Sequence, residues 1–288
     1  MSEKDEWKKS GEIARKARDY AQEICKVGTT HLELAEKVEK KIIELGGKPA
    51  FPVDVSIDSM AAHQTPHVGD TKVLEKGQVV KVDIGAHVSG YVTDTAVTVL
   101  LGTEWKDLKK AAEEALKAAI EQAIPKNKIR NIGKAIDTTI KNYGYASIAN
   151  LSGHGIGQWI VHDTPTIPNY DNGDDTPLKE GQTIAIEPFA TNGVGEVKDG
   201  KPDGVYRLLT KKPVRLDSVR KVLNFIEKEY QTLPFSPRWM THLQNYQFAL
   251  RILEQEGVIK QYTELPEKSG GMVAQAEKSV MVGVGVLT

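Results

Sequence analysis

The sequence predicts a mixed α/β protein built on antiparallel sheet, and three observations carry that prediction. Two β-rich runs meet across a short turn in VVKVDIGAHVSGYVTDTAVTV, helix-forming stretches precede and follow this unit, and strand-like runs return near the C-terminus. Residues 4–25 read as an amphipathic helix. Thr30-His31-Leu32-Glu33 has the pattern of a capping box, opening a helix that runs to about Leu45 and stops at Gly46-Gly47. Strands are expected near 51–57, 78–85 and 91–101. Helix formers fill 107–123, Pro125 interrupts, and 129–142 is again helical before Gly144. Strand character returns at 183–190, 272–276 and 280–286.

Chemistry is concentrated in five side chains: Asp83, Asp94, His154, Glu187 and Glu277. Asp83 and Asp94 lie on the two arms of a hairpin joined at His87-Val88-Ser89-Gly90. A two- or four-residue loop puts them on one face, whereas a three-residue loop separates them. Two carboxylates on one face repel unless a proton or a cation lies between them. His154 lies in LSGHGIG, whose glycines permit tight turns and close backbone approach to an ion. Glu187 ends the apolar run Thr183-Ile184-Ala185-Ile186, where Pro188 cannot donate to a ladder, and Glu277 lies in a second strand-like run. Each alone reads most simply as a solvated strand or loop residue. Together, four carboxylates and one imidazole without sulfur suit a pair of hard or borderline dications: manganese, iron, cobalt or zinc.

With 38 basic and 39 acidic residues in 288 and a net charge of −1, no bulk charge favours a nucleic acid or a membrane surface. Runs such as Glu36-Lys37-Val38-Glu39-Lys40-Lys41 read as solvated helix faces. The single cysteine, Cys25, excludes an internal disulfide and suits a reducing compartment. No signal peptide and no apolar span of membrane length is read, so a cytoplasmic protein is expected.

VDIG with Asp83, VTDTA with Asp94, LSGHGIG with His154, IAIEPFA with Glu187 and AQAEKS with Glu277 resemble, in order, the five ligand segments of the methionine aminopeptidases. GKPAFPVDVSIDSMAAHQTPH resembles the segment carrying one catalytic histidine, here His63, and IVHDTPTIPN the segment carrying the second, here His162. The resemblance implies the pita-bread fold, a pseudo-twofold pair of α/β halves with antiparallel sheet around the metal site and flanking helices. It is similar to the archaeal-like type 2 class, because 89 residues separate Glu187 from Glu277 and helix signals fill the gap, including the Ser236-Pro237 start and the 248–257 helix. The implied division is a catalytic domain of 1–210 and 266–288, with a helical subdomain inserted at 211–265.

The same resemblance implies hydrolytic removal of the initiator methionine from nascent proteins and peptides with a small second residue. Asp94 and Glu277 would bridge two metal ions, with Asp83 completing one ion and His154 and Glu187 the other. His63 and His162 would contact the scissile peptide group, Glu187 would also move the proton, and Phe51 and Tyr262 would line the methionine pocket. A monomer acting on N-terminal Met-peptides, without nucleic acid or membrane, is expected. The chain departs from the family pattern at Asp163-Thr164-Pro165 after His162, at Gln64 after His63, and at Lys278 after Glu277. Two rivals share the fold: an Xaa-Pro aminopeptidase or prolidase relative, and a non-catalytic binding protein.

Overall fold

The computed structural model describes residues 2–288. One order of elements occurs twice, a helix pair followed by a long antiparallel hairpin. The first unit is α1 (Glu3–Ile24), α2 (His31–Glu44), short strands β1 (Lys48–Pro49), β2 (Asp54–Ile57) and β3 (Met60–Ala62), then the hairpin of β4 (Val79–Val88) and β5 (Tyr91–Leu100). The second unit is α3 (Lys106–Gln122), α4 (Ile129–Asn142), β6 (Ala146–Ser147), and the hairpin of β7 (Ser152–Gly157) and β8 (Ile160–Pro168). Strands β9 (Thr183–Ile186), β10 (Phe189–Thr191) and β11 (Pro202–Leu208) follow. A helical segment comes next, with α5 (Asp217–Glu229), a 3₁₀ turn (Pro237–Met240) and α6 (Tyr246–Gln255). The chain closes with β12 (Ile259–Thr263), β13 (Leu265–Pro266), β14 (Val273–Gln275), β15 (Lys278–Met281) and β16 (Gly285–Val286). Among the described residues, no helix is long and apolar enough to cross a membrane.

The helices begin where polar side chains satisfy free backbone N–H groups. Ser2 caps α1 and Asp5 returns the bond to the Ser2 N–H, a reciprocal capping box. At α2 only half of the expected box forms. The Thr30 hydroxyl accepts from the Glu33 N–H, but the Glu33 carboxylate turns outward to Lys37 at 2.6 Å. Each helix pair then buries its apolar stripe on a sheet. Leu34, Val38 and Ile42 of α2 meet Val80, Val82, Ile84 and Ala86, the even-numbered side chains of β4. Ile132, Ile136 and Ile140 of α4 meet Ala112, Ala115 and Ala119 of α3, and Ile184, Ile186 and Ala190 lie beneath them. Because side chains alternate along β4, burying the even positions under helices turns the odd ones, Asp83 among them, to the opposite face. The helical segment has a core of its own, with Val219, Val222 and Ile226 packed on Leu250, Leu253 and Phe235.

Register settles the hairpin question. Val88 pairs with Tyr91, leaving a two-residue loop of Ser89-Gly90 with φ of 52° and 87°, the left-handed pair a tight turn requires. Asp83 lies opposite Ala96 and Asp94 opposite Gly85, so the two carboxylates are diagonal neighbours on one face. The run expected at 183–190 breaks into β9 and β10 at Glu187-Pro188, and the run expected at 280–286 divides into β15 and β16, while the gap expected after 276 falls at Ala276-Glu277, between β14 and β15. The interruptions at Glu187-Pro188 and Ala276-Glu277 face each other, since Ile186 pairs with Lys278 and Phe189 with Gln275.

LSGHGIG is a correction. The glycine-flanked loop expected at 151–157 is the strand β7, held between β8 and β9. Its glycines make room for neighbouring backbone and not for an ion: a Cβ at Gly153 would overlap the Ala185 carbonyl oxygen, and one at Gly155 the Thr164 carbonyl oxygen. Gly153→Ala is therefore expected to destabilise the protein by about 1–3 kcal/mol, the usual cost of forcing a methyl into a packed site. Urea unfolding measures this. An unchanged midpoint would mean that the strands part freely.

Candidate metal centre

All nine residues singled out from the sequence line one cavity of about 210 Å³. Its floor is the set Asp83, Asp94, His154, Glu187 and Glu277, and its walls include Phe51, His63, His162 and Tyr262. The floor draws on both hairpins and both strand breaks. Asp83 comes from β4 and Asp94 from β5, His154 comes from β7, and Glu187 and Glu277 sit in the facing interruptions, where no ladder bond is lost by turning a side chain inward.

Ligand atoms of Asp94, His154 and Glu277 all lie within 4.8 Å of one another. The His154 Nε2 is 3.7 Å from both Asp94 Oδ2 and Glu187 Oε1. Its Nδ1 lies 3.0 Å from the Gly155 carbonyl oxygen, and an N–H donating there leaves the Nε2 lone pair facing the carboxylates. Burial pushes the His154 imidazole down to about 4, so it is neutral and able to ligate. Gln275 donates to Asp83 Oδ2 at 3.1 Å and to Glu277 Oε2 at 3.4 Å, tying two of the carboxylates together. Sequence reasoning missed Gln275, although strand alternation puts it on the side of Glu277, two residues on.

The carboxylates are crowded beyond what hydrogen bonds relieve. Burial, and then the charge of Asp54, push Asp83 up to about 7. Burial followed by the charges of its neighbours raises Asp94 and Glu277 well above the carboxylate range, and burial with Asp83 does the same for Glu187. The Oδ1 atoms of Asp83 and Asp94 are buried without any hydrogen-bond partner. A buried polar atom without a partner needs a proton or an ion, and this oxygen-rich set with one imidazole fits divalent cations.

Around this floor the walls bring further groups together. The His162 and His154 rings are 4.5 Å apart edge to face, and His63 and His162 flank Tyr262 at 5.5 and 6.4 Å. Burial, and then the imidazoles of His154 and His63, push His162 down from the ordinary histidine range, although one edge of the ring is exposed to the cavity. His63 has φ of 59°, a left-handed conformation rare for a non-glycine residue and favoured where a site dictates side-chain direction. Gly85 lies against the Phe51 ring, where any Cβ would overlap it. Two lining carboxylates escaped the sequence reading: Asp54, which pairs across the strands with Asp83, and Asp203, pushed up to about 8 by burial and then by Asp54. Asp203 stands in no motif, and Asp54, although inside the segment that carries His63, is brought to the site only by its pairing with β4.

The three departures from the family pattern are engaged elsewhere. Gln64 accepts from the Ile57 N–H at 3.0 Å, and Asp163 accepts from the Thr164 N–H at 2.7 Å. Lys278 lies in a separate groove with Arg18, Asp19 and Lys117, as alternation from Glu277 requires.

The profile of Metallopeptidase family M24 matches residues 5–221. The chain belongs to that family. A methionine aminopeptidase of Thermococcus onnurineus is 46% identical over 98% of this chain and 97% of its own, and one of Pyrococcus horikoshii is 44% identical over 95% and 94%. The solved structure of a Thermotoga maritima methionine aminopeptidase superposes with a TM-score of 0.71 at 22% identity, covering all but a hundredth of this chain and 95% of that one, which makes the fold the family's pita-bread architecture. Membership makes a divalent metal part of the centre.

Stability should report the crowding. Metal-free protein holds the Asp83 proton more tightly folded than unfolded, since about 7 exceeds the ordinary 3.8. That contribution is present below the ordinary value and lost as pH rises to about 7, so the melting temperature of chelated protein should fall across this window. Added manganese should remove the fall. A chelated melting temperature that is flat from pH 4 to 7 would contradict the crowded-carboxylate account.

Proposed function

We propose that this chain is a methionyl aminopeptidase of the M24 family, hydrolysing the N-terminal methionine from peptides and nascent chains with a small second residue. The observation that carries the reading is the convergence of five ligand-type side chains, two histidines and two aromatic residues on a single cavity. A pair of dications, drawn from manganese, cobalt, iron or zinc, supplies when bound an activated water at neutral pH and an anchor for the substrate's free α-amine. The need for that amine accounts for an exopeptidase.

Within this reading Asp94 and Glu277 would be shared by the two ions, Asp83 would help hold one, and His154 with Glu187 would help hold the other. The short distances among Asp94, His154, Glu187 and Glu277 support it. His63 and His162, standing on the wall above the carboxylates, hold the scissile carbonyl and stabilise the negative charge that grows on it. Glu187, at the junction of β9 and β10, takes a proton from the nucleophile and delivers it to the leaving amine. Phe51 and Tyr262 enclose the methionine side chain, with Gly85 leaving space for the Phe51 ring. Residues 211–265 form the inserted subdomain, a reading supported by its separate apolar core, and its return strand β12 delivers Tyr262 to the pocket.

Three outcomes test these assignments. Asp94→Asn should lose metal and most activity together, so a variant with normal metal content and near-normal turnover would remove the bridging role. His63→Ala and His162→Ala should each keep their metal and fold while kcat/KM on Met-Ala-Ser falls by roughly 10² to 10³, the scale for one preorganised donor. Loss of a metal equivalent in His162→Ala would make it a ligand instead. Norleucine should replace methionine at a cost of about 1–3 kcal/mol or less, whereas rapid release of N-terminal lysine with methionine untouched would sink the substrate assignment.

A further inference from the structure

The buried Glu39–Arg238 ion pair lies outside the cavity floor and joins the helical segment to the catalytic body. Arg238, in the 3₁₀ turn, donates through Nη1 and Nη2 to the two Glu39 oxygens at 3.0 and 2.6 Å, and Trp239 Nε1 adds a third bond at 2.9 Å. Both side chains are almost wholly buried, at 3% and 7% exposure. Holding a helical segment in place does not require charge. A buried ion pair is often no more stabilising than an apolar pair of the same volume, because desolvation offsets the attraction.

What an apolar pair lacks is hydrogen-bonding capacity toward backbone, and here that capacity is used. Glu39 Oε1 also accepts from the Val53 N–H at 3.2 Å, and Arg238 Nε donates to the Pro66 carbonyl at 2.9 Å. Val53 and Pro66 bracket the stretch carrying Asp54 and His63. Inside it, the Val55 N–H donates to the Gln64 carbonyl at 2.9 Å, and the Thr65 hydroxyl donates to the Asp54 carboxylate. The stretch is therefore a closed loop tied at both ends to one ion pair. His63 stands on it in its left-handed conformation, with Nδ1 3.2 Å from the carbonyl of Thr263, on the strand that leaves the helical segment.

We propose that Glu39 and Arg238 are positioning residues: by gripping Val53 and Pro66 they hold the 53–66 loop so that His63 meets the substrate, which makes correct docking of residues 217–255 a condition of turnover. This rests on the assignment of His63 to the reacting carbonyl. Displacement of a catalytic group by about 1 Å costs about 10²-fold in rate, so loosening the loop acts on kcat more than on substrate capture.

The test places Arg238→Lys, Glu39→Gln and the double variant Glu39→Leu/Arg238→Met in both the native and the His63→Ala background, manganese-loaded, with Met-Ala-Ser as substrate. In the native background Arg238→Lys and the double variant should lower kcat by roughly 10²-fold with KM nearly unchanged and metal content retained. Glu39→Gln, which keeps one acceptor oxygen, should lose less. In the His63→Ala background none should cause further loss beyond about twofold, since residues acting as a unit are non-additive. The double variant orphans neither charge, so it serves if a single variant fails to fold. Losses that multiply with His63→Ala overturn the proposal in favour of general support of the fold. If His63→Ala alone leaves kcat/KM intact, the assignment of His63 fails first and the positioning role fails with it.

Discussion

Four carboxylates sharing one buried space are the constraint around which this molecule is arranged. The protein around them offers a single side-chain amide, from Gln275, and, among the described residues, no cationic side chain at hydrogen-bonding distance. Burial and mutual charge push all four toward protonation, a tension that a cation relieves and hydrophobic packing cannot. The surrounding architecture holds these groups at close range against their repulsion. Two helix pairs clamp the outer faces of the sheets, two hairpins turn Asp83, Asp94 and His154 inward, and two strand interruptions meet across the middle.

The parts legible in the sequence were those governed by local rules. Alternation along β4 and β5 ties the face of Asp83 to that of Asp94 once loop length is known, and Gly90 is suited to the second of the two left-handed positions in the turn. The α4 boundaries fell where apolar spacing and Gly144 put them. The glycines of β7 were misread because a glycine-rich string has two physical meanings. It can free a chain to turn, or it can let two backbones approach, and only the presence of β8 and β9 on either side distinguishes them.

Long-range partnerships were not legible. Asp54 reads as an ordinary strand aspartate until its pairing with Asp83 is known, and Asp203 lies far from any motif. Glu39 is the clearest case. It sits in a run of alternating lysines and glutamates that reads as a solvated helix face, yet in α2 it is the one member turned wholly inward, because Arg238, nearly two hundred residues later, arrives to meet it. Helical periodicity marks such a position as inward-facing, but composition masks it among identical neighbours.

The order of the chain has a consequence for the protein's own synthesis. Glu277, the member of the carboxylate cluster farthest along the chain, is set in place by β14 and β15, which pair with β10 and β9. A growing polypeptide can fold its first helix pair and hairpin well before those strands exist. The cluster, however, stays one carboxylate short until those strands have been added. The repulsion is thus assembled in stages: the first hairpin folds with two of the four carboxylates, and the full crowding comes only when β14 and β15 pair with β10 and β9.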